Sequence, residues 1–288
     1  MSLTGMLSRR GMPLREFFEY RLPNCKPMQD AWKLGGAPQI LPSEPVVWSL
    51  VGAALDYRVR YLFAVTSPER FVAAHVAYDT ESELHASYAN LATSLIGLLA
   101  RNDPRGAPMA TEVEADLARY CYVLAMYESL FRGAADSSLY TLRIGASADE
   151  QLALAPSAAV VDLVALTGAA ATTLSPLFKK TAILNPSFSG SPDVLGADAD
   201  LIVDHCLIDI KTTISKSLDR QTLYQLVGYL LLDYGDEYAI NALGFYLSRI
   251  PALVVWPAKD LIASMSNGVE SVKGLRKDLK ALLALDIF

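Results

Sequence analysis

The chain has 288 residues, 52% of them hydrophobic and 19% charged, and a formal net charge of −6. That apolar content excludes a disordered chain, ordinary glycine and proline usage excludes a collagen-like or linker-like one, and the length allows one large domain or two small ones. An acidic balance argues against gripping duplex nucleic acid over a broad face, but leaves room for a narrow cleft with local cations.

The opening residues, Met-Ser-Leu-Thr-Gly-Met-Leu-Ser-Arg-Arg, lack the apolar run and small residues of a signal peptide and are set aside from the fold. Residues 13–20 then predict a short helix with Pro13 near its start. Residues 47–64 predict another, with charges collected at Asp56, Arg58 and Arg60. Ser67 as a cap before Pro68 predicts a helix over 67–77. Helices are also expected over 81–100 and 111–131, with loops at 102–108 and 133–138. Residues 158–174 are the most apolar stretch, but Asp162, Gly168 and many small residues point to a buried helix, and no membrane span is expected.

After residue 180 the pattern changes. Two short apolar runs, 199–203 and 207–213, read as strands, followed by a helix over 218–234 that stops at Gly235. Residues 240–247 and 252–256 read as strands joined by Ser248-Arg-Ile-Pro. A final amphipathic helix is expected over 258–285, broken near Gly268. The chain reads as a single domain over 1–288, with a mostly helical part at 1–178 and a core at 179–288. The predicted class is α/β, with α+β as the other possibility. Cys25, Cys121 and Cys206 are widely spaced and form no C-x-x-C pair, which predicts reduced thiols in a cytoplasmic protein.

The two strands after residue 199 flank Asp204-His205, residue types that tolerate left-handed backbone. A two-residue turn there makes a tight hairpin in which Val203 faces Cys206 and Asp200 faces Asp209. Lys211 lies two residues further, on the face of Asp209. Facing carboxylates repel, and the neighbours Leu201, Ile202, Val203, Leu207, Ile208 and Ile210 are apolar, so this is not an ordinary solvated face. A divalent cation with oxygen ligands offsets such repulsion. Carboxylates, metal and a lysine are the parts needed for metal-assisted phosphodiester hydrolysis. On the following helix Gln221, Gln225 and Tyr229 share one stripe. Gln221 is expected in core hydrogen bonds, and Gln225 and Tyr229 near the lysine or a phosphate.

An Asp in one strand, D-x-K in the next, then a helix with Q-x-x-x-Y resembles the PD-(D/E)xK nuclease superfamily, and Gln225 to Tyr229 is similar to its RecB-like branch. The likeness covers residues 196–229 and extends loosely to Trp256. It implies a restriction-endonuclease-like mixed sheet flanked by helices. It also implies Mg²⁺, with Mn²⁺ able to substitute, held by Asp200, Asp209 and the Ile210 carbonyl, and Lys211 positioning water or stabilising phosphate charge. Asp193 follows Pro192 but lies in a Gly/Ser/Pro loop, and Asp198 shares the face of Asp200; both are lesser candidates. Asp56, where related chains carry a histidine, and Glu128, on a helix before the first Asp, are further candidate ligands. Each also has an arginine at i+4, Arg60 and Arg132, which offers a plain ion pair instead. Three scattered cysteines argue against an iron–sulfur cluster.

The implied activity is metal-dependent hydrolysis of DNA in bacterial or phage DNA processing or defence. The alternative is an inactive nuclease fold that binds nucleic acid or a protein partner in a larger complex, and a third reading is a metal-stabilised structural protein. His205 reads as a turn residue. Lys179-Lys180 and the basic stretch after Lys273 read as solvated faces.

Overall fold

The computed structural model describes residues 2–32, 38–78, 82–134, 136–215 and 217–285. The chain divides into two compact units: Met1–Pro38, Lys179–Leu247 and Ala252–Phe288 form unit 1, and Gln39–Phe178 with Ser248–Pro251 form unit 2. Unit 1 opens with α1 (Leu3–Ser8), α2 (Pro13–Arg21) and α3 (Lys26–Ala31). Unit 2 follows with α4 (Trp48–Phe63), α5 (His85–Arg101), α6 (Thr111–Phe131), α7 (Ala148–Leu152) and α8 (Ser157–Leu174). The chain then returns to unit 1 with β1 (Ala182–Leu184), β2 (Leu201–Val203), β3 (Cys206–Lys211), α9 (Arg220–Leu232), β4 (Ala242–Leu247), β5 (Ala252–Pro257), α10 (Ala258–Met265) and α11 (Val272–Leu283).

The protein is mixed α/β. Its sheet runs β1-β2-β3-β4-β5, antiparallel except for the parallel pair β3–β4. Parallel neighbours need a long crossover, and α9 supplies it. Asp204 and His205 both adopt left-handed φ, 51° and 65°, closing β2 onto β3 in a two-residue turn with Val203 opposite Cys206 and Leu201 opposite Ile208. The register expected from the turn is therefore the one observed. Aliphatic side chains fill β2 and half of β3, and a slip of one residue would turn Asp209 and Lys211 to the opposite face.

The opening residues, expected to lie outside the fold, are part of it. Ser2 caps α1, and Leu3, Met6 and Leu7 are buried where α1 packs on α9. Gly228 makes the seat: a Cβ there would lie 3.1 Å from a Leu3 methyl. On its other sides α9 meets α2, through Phe18 stacked on Tyr224, and α11, which buries Leu275, Leu279 and Leu283. Arg21 of α2 ties down this layer with Glu270 and Asp278.

In unit 2, α4, α6 and α8 pack on one another. The charges collected on α4 do not form a wet stripe. Arg58 is wholly buried and grips Glu114 of α6 through two bonds of 2.7 and 2.9 Å, with a third to the Pro104 carbonyl. Arg249, from the tip of the β4–β5 hairpin, is equally buried and holds Asp162 of α8 at 2.6 and 2.7 Å, the Ile40 carbonyl at 3.2 Å and the face of Trp48. The stretch Ser157–Leu177 is long and apolar enough to cross a membrane by length and composition, yet 56% of its most apolar window is buried inside the protein.

Two further expectations change. Residues 67–77 form two 3₁₀ turns, Pro68–Arg70 and Val72–Ala77, and the Ser67 side chain caps neither. Phe71, extended between them, interrupts the α-helical path and is buried against Tyr57 and Tyr61. The helix expected from residue 81 begins at His85, and residue 81 itself lies outside the described residues. The last helix is split into α10 and α11, with Gly268 at φ 82° in the break.

Candidate active site

The β2–β3 ladder stops at Leu201–Ile208, and the side chain of Asp200 takes over. Its Oδ2 accepts the Ile210 amide at 2.6 Å, so the carboxylate crosses the edge of β3. In an extended strand the N–H and C=O of one residue point the same way, so the Ile210 carbonyl emerges on that same edge.

Asp209 lies on the alternate face of β3 and is only 3% exposed. Lys211 Nζ approaches its Oδ2 at 2.7 Å. The pair is close but not aligned as a hydrogen bond, leaving Oδ2 without an aligned donor. Phe245 of β4 pairs with Asp209 in the sheet, and Trp32 and Trp256 pack edge-on against Phe245. This apolar backing lowers the local dielectric and strengthens each charge interaction.

Three further contacts fix the lysine. Lys211 Nζ donates to Gln225 Oε1 at 3.2 Å, and Gln225 Nε2 donates to the Tyr229 hydroxyl at 2.8 Å and the Thr4 hydroxyl at 3.1 Å. Burial works against the ammonium of Lys211, but Asp209, Asp200 and Asp219 outweigh it and hold its pKa above the ordinary lysine value. Burial, then the charges of Asp209, Asp200 and Asp198, push the Tyr229 hydroxyl far up, so it stays a neutral phenol. Because that oxygen accepts from Gln225, its own proton is left to donate. Phe188 stacks on the Tyr229 ring at 5.9 Å and holds its plane.

The structure thus brings Asp200, Asp209, Ile210, Lys211, Gln225 and Tyr229 together in unit 1. Gln221 is half-buried and makes none of these contacts. Asp193 sits in a 3₁₀ turn and accepts from Tyr234 at 2.8 Å. Asp198 is half-buried and bridges to Ser187. His205 is the turn residue expected, bonded to the Tyr238 carbonyl. Asp56 and Glu128 both belong to unit 2. Asp56 pairs with Arg60; Glu128 accepts from Arg132 and from the Tyr57 hydroxyl, both at 2.6 Å. All three cysteines are free thiols.

Among the described residues no group of three or more His, Cys, Asp and Glu side chains could hold a metal ion. The donor set here is two carboxylates and a main-chain carbonyl. That set fits Mg²⁺, which binds through one or two carboxylates and keeps several waters. It does not suit zinc, which favours nitrogen and sulfur.

Thr4 and Phe188 were not foreseen. Neither carries a motif, and Thr4 reaches the site only because α1 docks on Gly228. Thr4 Oγ1 can only accept from Gln225 Nε2, which turns the amide so that Oε1 faces Lys211. In Thr4→Val the turnover number for DNA cleavage is expected to fall about 3- to 10-fold with KM unchanged, the size of one net hydrogen bond. Thr4→Ser should restore it. Wild-type turnover in the valine variant would remove Thr4 from the site.

No known family model matches the chain, and no curated protein or solved structure matches it either.

Proposed function

We propose that this chain is a Mg²⁺-dependent nuclease that hydrolyses phosphodiester bonds in DNA, with Mn²⁺ able to replace Mg²⁺. The observation that carries the reading is the buried Asp209 carboxylate, paired with Lys211, beside Asp200 on the edge of β3. Two acids and one ammonium leave an excess negative charge that a divalent cation offsets. Asp200, Asp209 and the Ile210 carbonyl would hold the ion. Bound there, it would supply a water of lowered pKa and offset charge that develops on the phosphate.

The protein's own groups do the positioning. Lys211, fixed by Gln225, places its ammonium beside the carboxylates, where it donates to a phosphate oxygen or to the attacking water. Tyr229 donates its phenol proton to the same charge. Gln225 removes rotamer freedom from Lys211, and preorganisation of that kind costs nothing at the moment of reaction. On this reading the mixed sheet is a restriction-endonuclease-like core, and the protein works in the cytoplasm, in DNA processing or defence, alone or with a protein partner.

One observation favours a second reading: among the described residues no third His, Cys, Asp or Glu side chain joins Asp200 and Asp209 to complete a metal group. A nuclease-like module that binds DNA or a partner without cleaving it would also keep this arrangement.

The deciding experiment offers linear, circular and single-stranded DNA with Mg²⁺, Mn²⁺ or chelator, to the wild type and to Lys211→Ala. Metal-dependent cleavage by the wild type alone is expected, and cutting of the circle would mark an endonuclease. DNA binding without turnover under either metal would select the second reading.

A further inference from the structure

Unit 1 carries a cavity of about 510 Å³ lined by α3, the residues just before it, and the segment that enters α9. That volume falls in the range of about 300–1,000 Å³ typical of ligand sites. One bond ties its walls together, Gln29 Nε2 donating to the Leu218 carbonyl at 2.8 Å, and just outside it Trp32 Nε1 donates to the Ser215 carbonyl at 3.5 Å. Its lining includes two cations, Lys26 and Arg220, and one acid, Asp30. Both cations are exposed, and among the described residues neither forms an ion pair. Elsewhere in unit 1 the arginines of the helical layer are engaged, Arg15 with Glu19, Arg21 with Glu270 and Asp278, and Arg276 with Asp236. Lys26 and Arg220, by contrast, are two open cations that line one cavity.

One wall of the cavity follows the candidate active site along the chain. The chain that leaves β3 after Lys211 becomes its wall at Ser217 and Leu218 and turns into α9 at Arg220. Asp219, the cap of α9, lies near enough for its charge to act on Lys211. A strand whose scissile phosphate sits at Lys211 has this cavity as its neighbouring ground.

We propose that the cavity is a strand-binding subsite, in which Lys26 and Arg220 clamp a backbone phosphate of DNA flanking the bond to be cut. The proposal deepens the nuclease reading and rests on it. It also accounts for how an acidic protein holds a polyanion: through a few placed cations in a cleft, not through a basic face. A single clamped phosphate contributes affinity without reading the base, so the subsite binds strands of any sequence. It acts on substrate and transition state alike, so it lowers KM and leaves kcat alone.

The test uses the full chain in Ca²⁺, with a fluorescently labelled DNA oligonucleotide, single- and double-stranded, and reads Kd by anisotropy across a salt series. Lys26→Ala with Arg220→Ala is expected to raise Kd about tenfold and to flatten the log–log salt slope by about one, the signature of one lost phosphate contact. In Mg²⁺ the same variant should cleave with raised KM and wild-type kcat. A matched control, Lys273→Ala with Lys277→Ala, removes equal charge from the exposed face of α11 and should bind nearly as the wild type does. If the cavity variant binds with unchanged Kd and slope while the wild type still cleaves, the subsite is wrong and the nuclease reading stands. The subsite is equally wrong if the α11 control loses as much affinity, because bulk charge then explains the loss. If the wild type neither binds nor cleaves DNA, both fall together.

Discussion

Replacing Asp209 by alanine is expected to abolish metal-dependent cleavage, lowering the rate by at least about 10³-fold. The substitution removes a proposed metal ligand and also frees Lys211, whose ammonium is held at 2.7 Å from that carboxylate. Two roles fail at once, so the loss should be nearly as large as for Asp209→Ala and Lys211→Ala combined, as happens when residues act as a unit. The fold should survive. Losing the carboxylate relieves its repulsion with Asp200 and unpairs a lysine whose side chain is still 24% exposed to water. These effects oppose each other, and unfolding stability should move by about 1 kcal/mol or less. A thermal shift gives a reading that does not depend on turnover. At ten times its Kd a bound metal adds roughly 1.4 kcal/mol to stability. The wild type should gain it with Mn²⁺, and Asp209→Ala should not. Undiminished cleavage by the alanine variant would take this site out of the protein's chemistry.

The largest effect on stability is expected at Asp162. Its side chain is 1% exposed, and both oxygens are taken by the wholly buried guanidinium of Arg249. Asp162→Ala leaves that cation in unit 2 with, among the described residues, the Ile40 carbonyl and the Trp48 face for company. Breaking a buried pair from one side costs about 3–5 kcal/mol, because the survivor keeps its desolvation penalty. Urea unfolding followed by circular dichroism measures it. Replacing both partners, Asp162→Leu with Arg249→Met, should recover most of the loss, since an apolar pair of similar size carries no stranded charge. A single-variant cost within about 1 kcal/mol would show that water or a rearranged side chain reaches Arg249.

The hairpin was legible in the sequence because its information is local. Two turn-tolerant residues between aliphatic runs set the pairing of Val203 with Cys206, and the alternation of a strand then places Asp209 and Lys211 on one face. α6 was legible to the residue, since its period runs unbroken from Thr111 to Phe131. What stayed hidden depends on partners distant in the chain. Thr4 acquires its place from Gly228, more than two hundred residues later. Arg58 and Arg249 carry the composition of a surface, and only Glu114 and Asp162 make their burial tolerable. β1 is three residues long and leans on β2 for its pairing, so no period could announce it. Residues 67–77 obeyed the capping rule in type but yielded to the burial of Phe71.

The order in which the chain visits its two units has a mechanical consequence. Unit 2 is inserted in the sequence of unit 1 between Pro38 and Lys179, and it also takes Ser248–Pro251. A tether attached near each end of the chain therefore pulls on unit 1 alone at first. Residues 39–178 form a detour of the chain that carries no load until the sheet of unit 1 gives way. Stretching should then proceed in two ruptures, the later one releasing on the order of 500 Å of slack at about 3.5 Å per residue. In such a chain the element that carries the proposed chemistry is the first to yield under tension, and the inserted helices are the last.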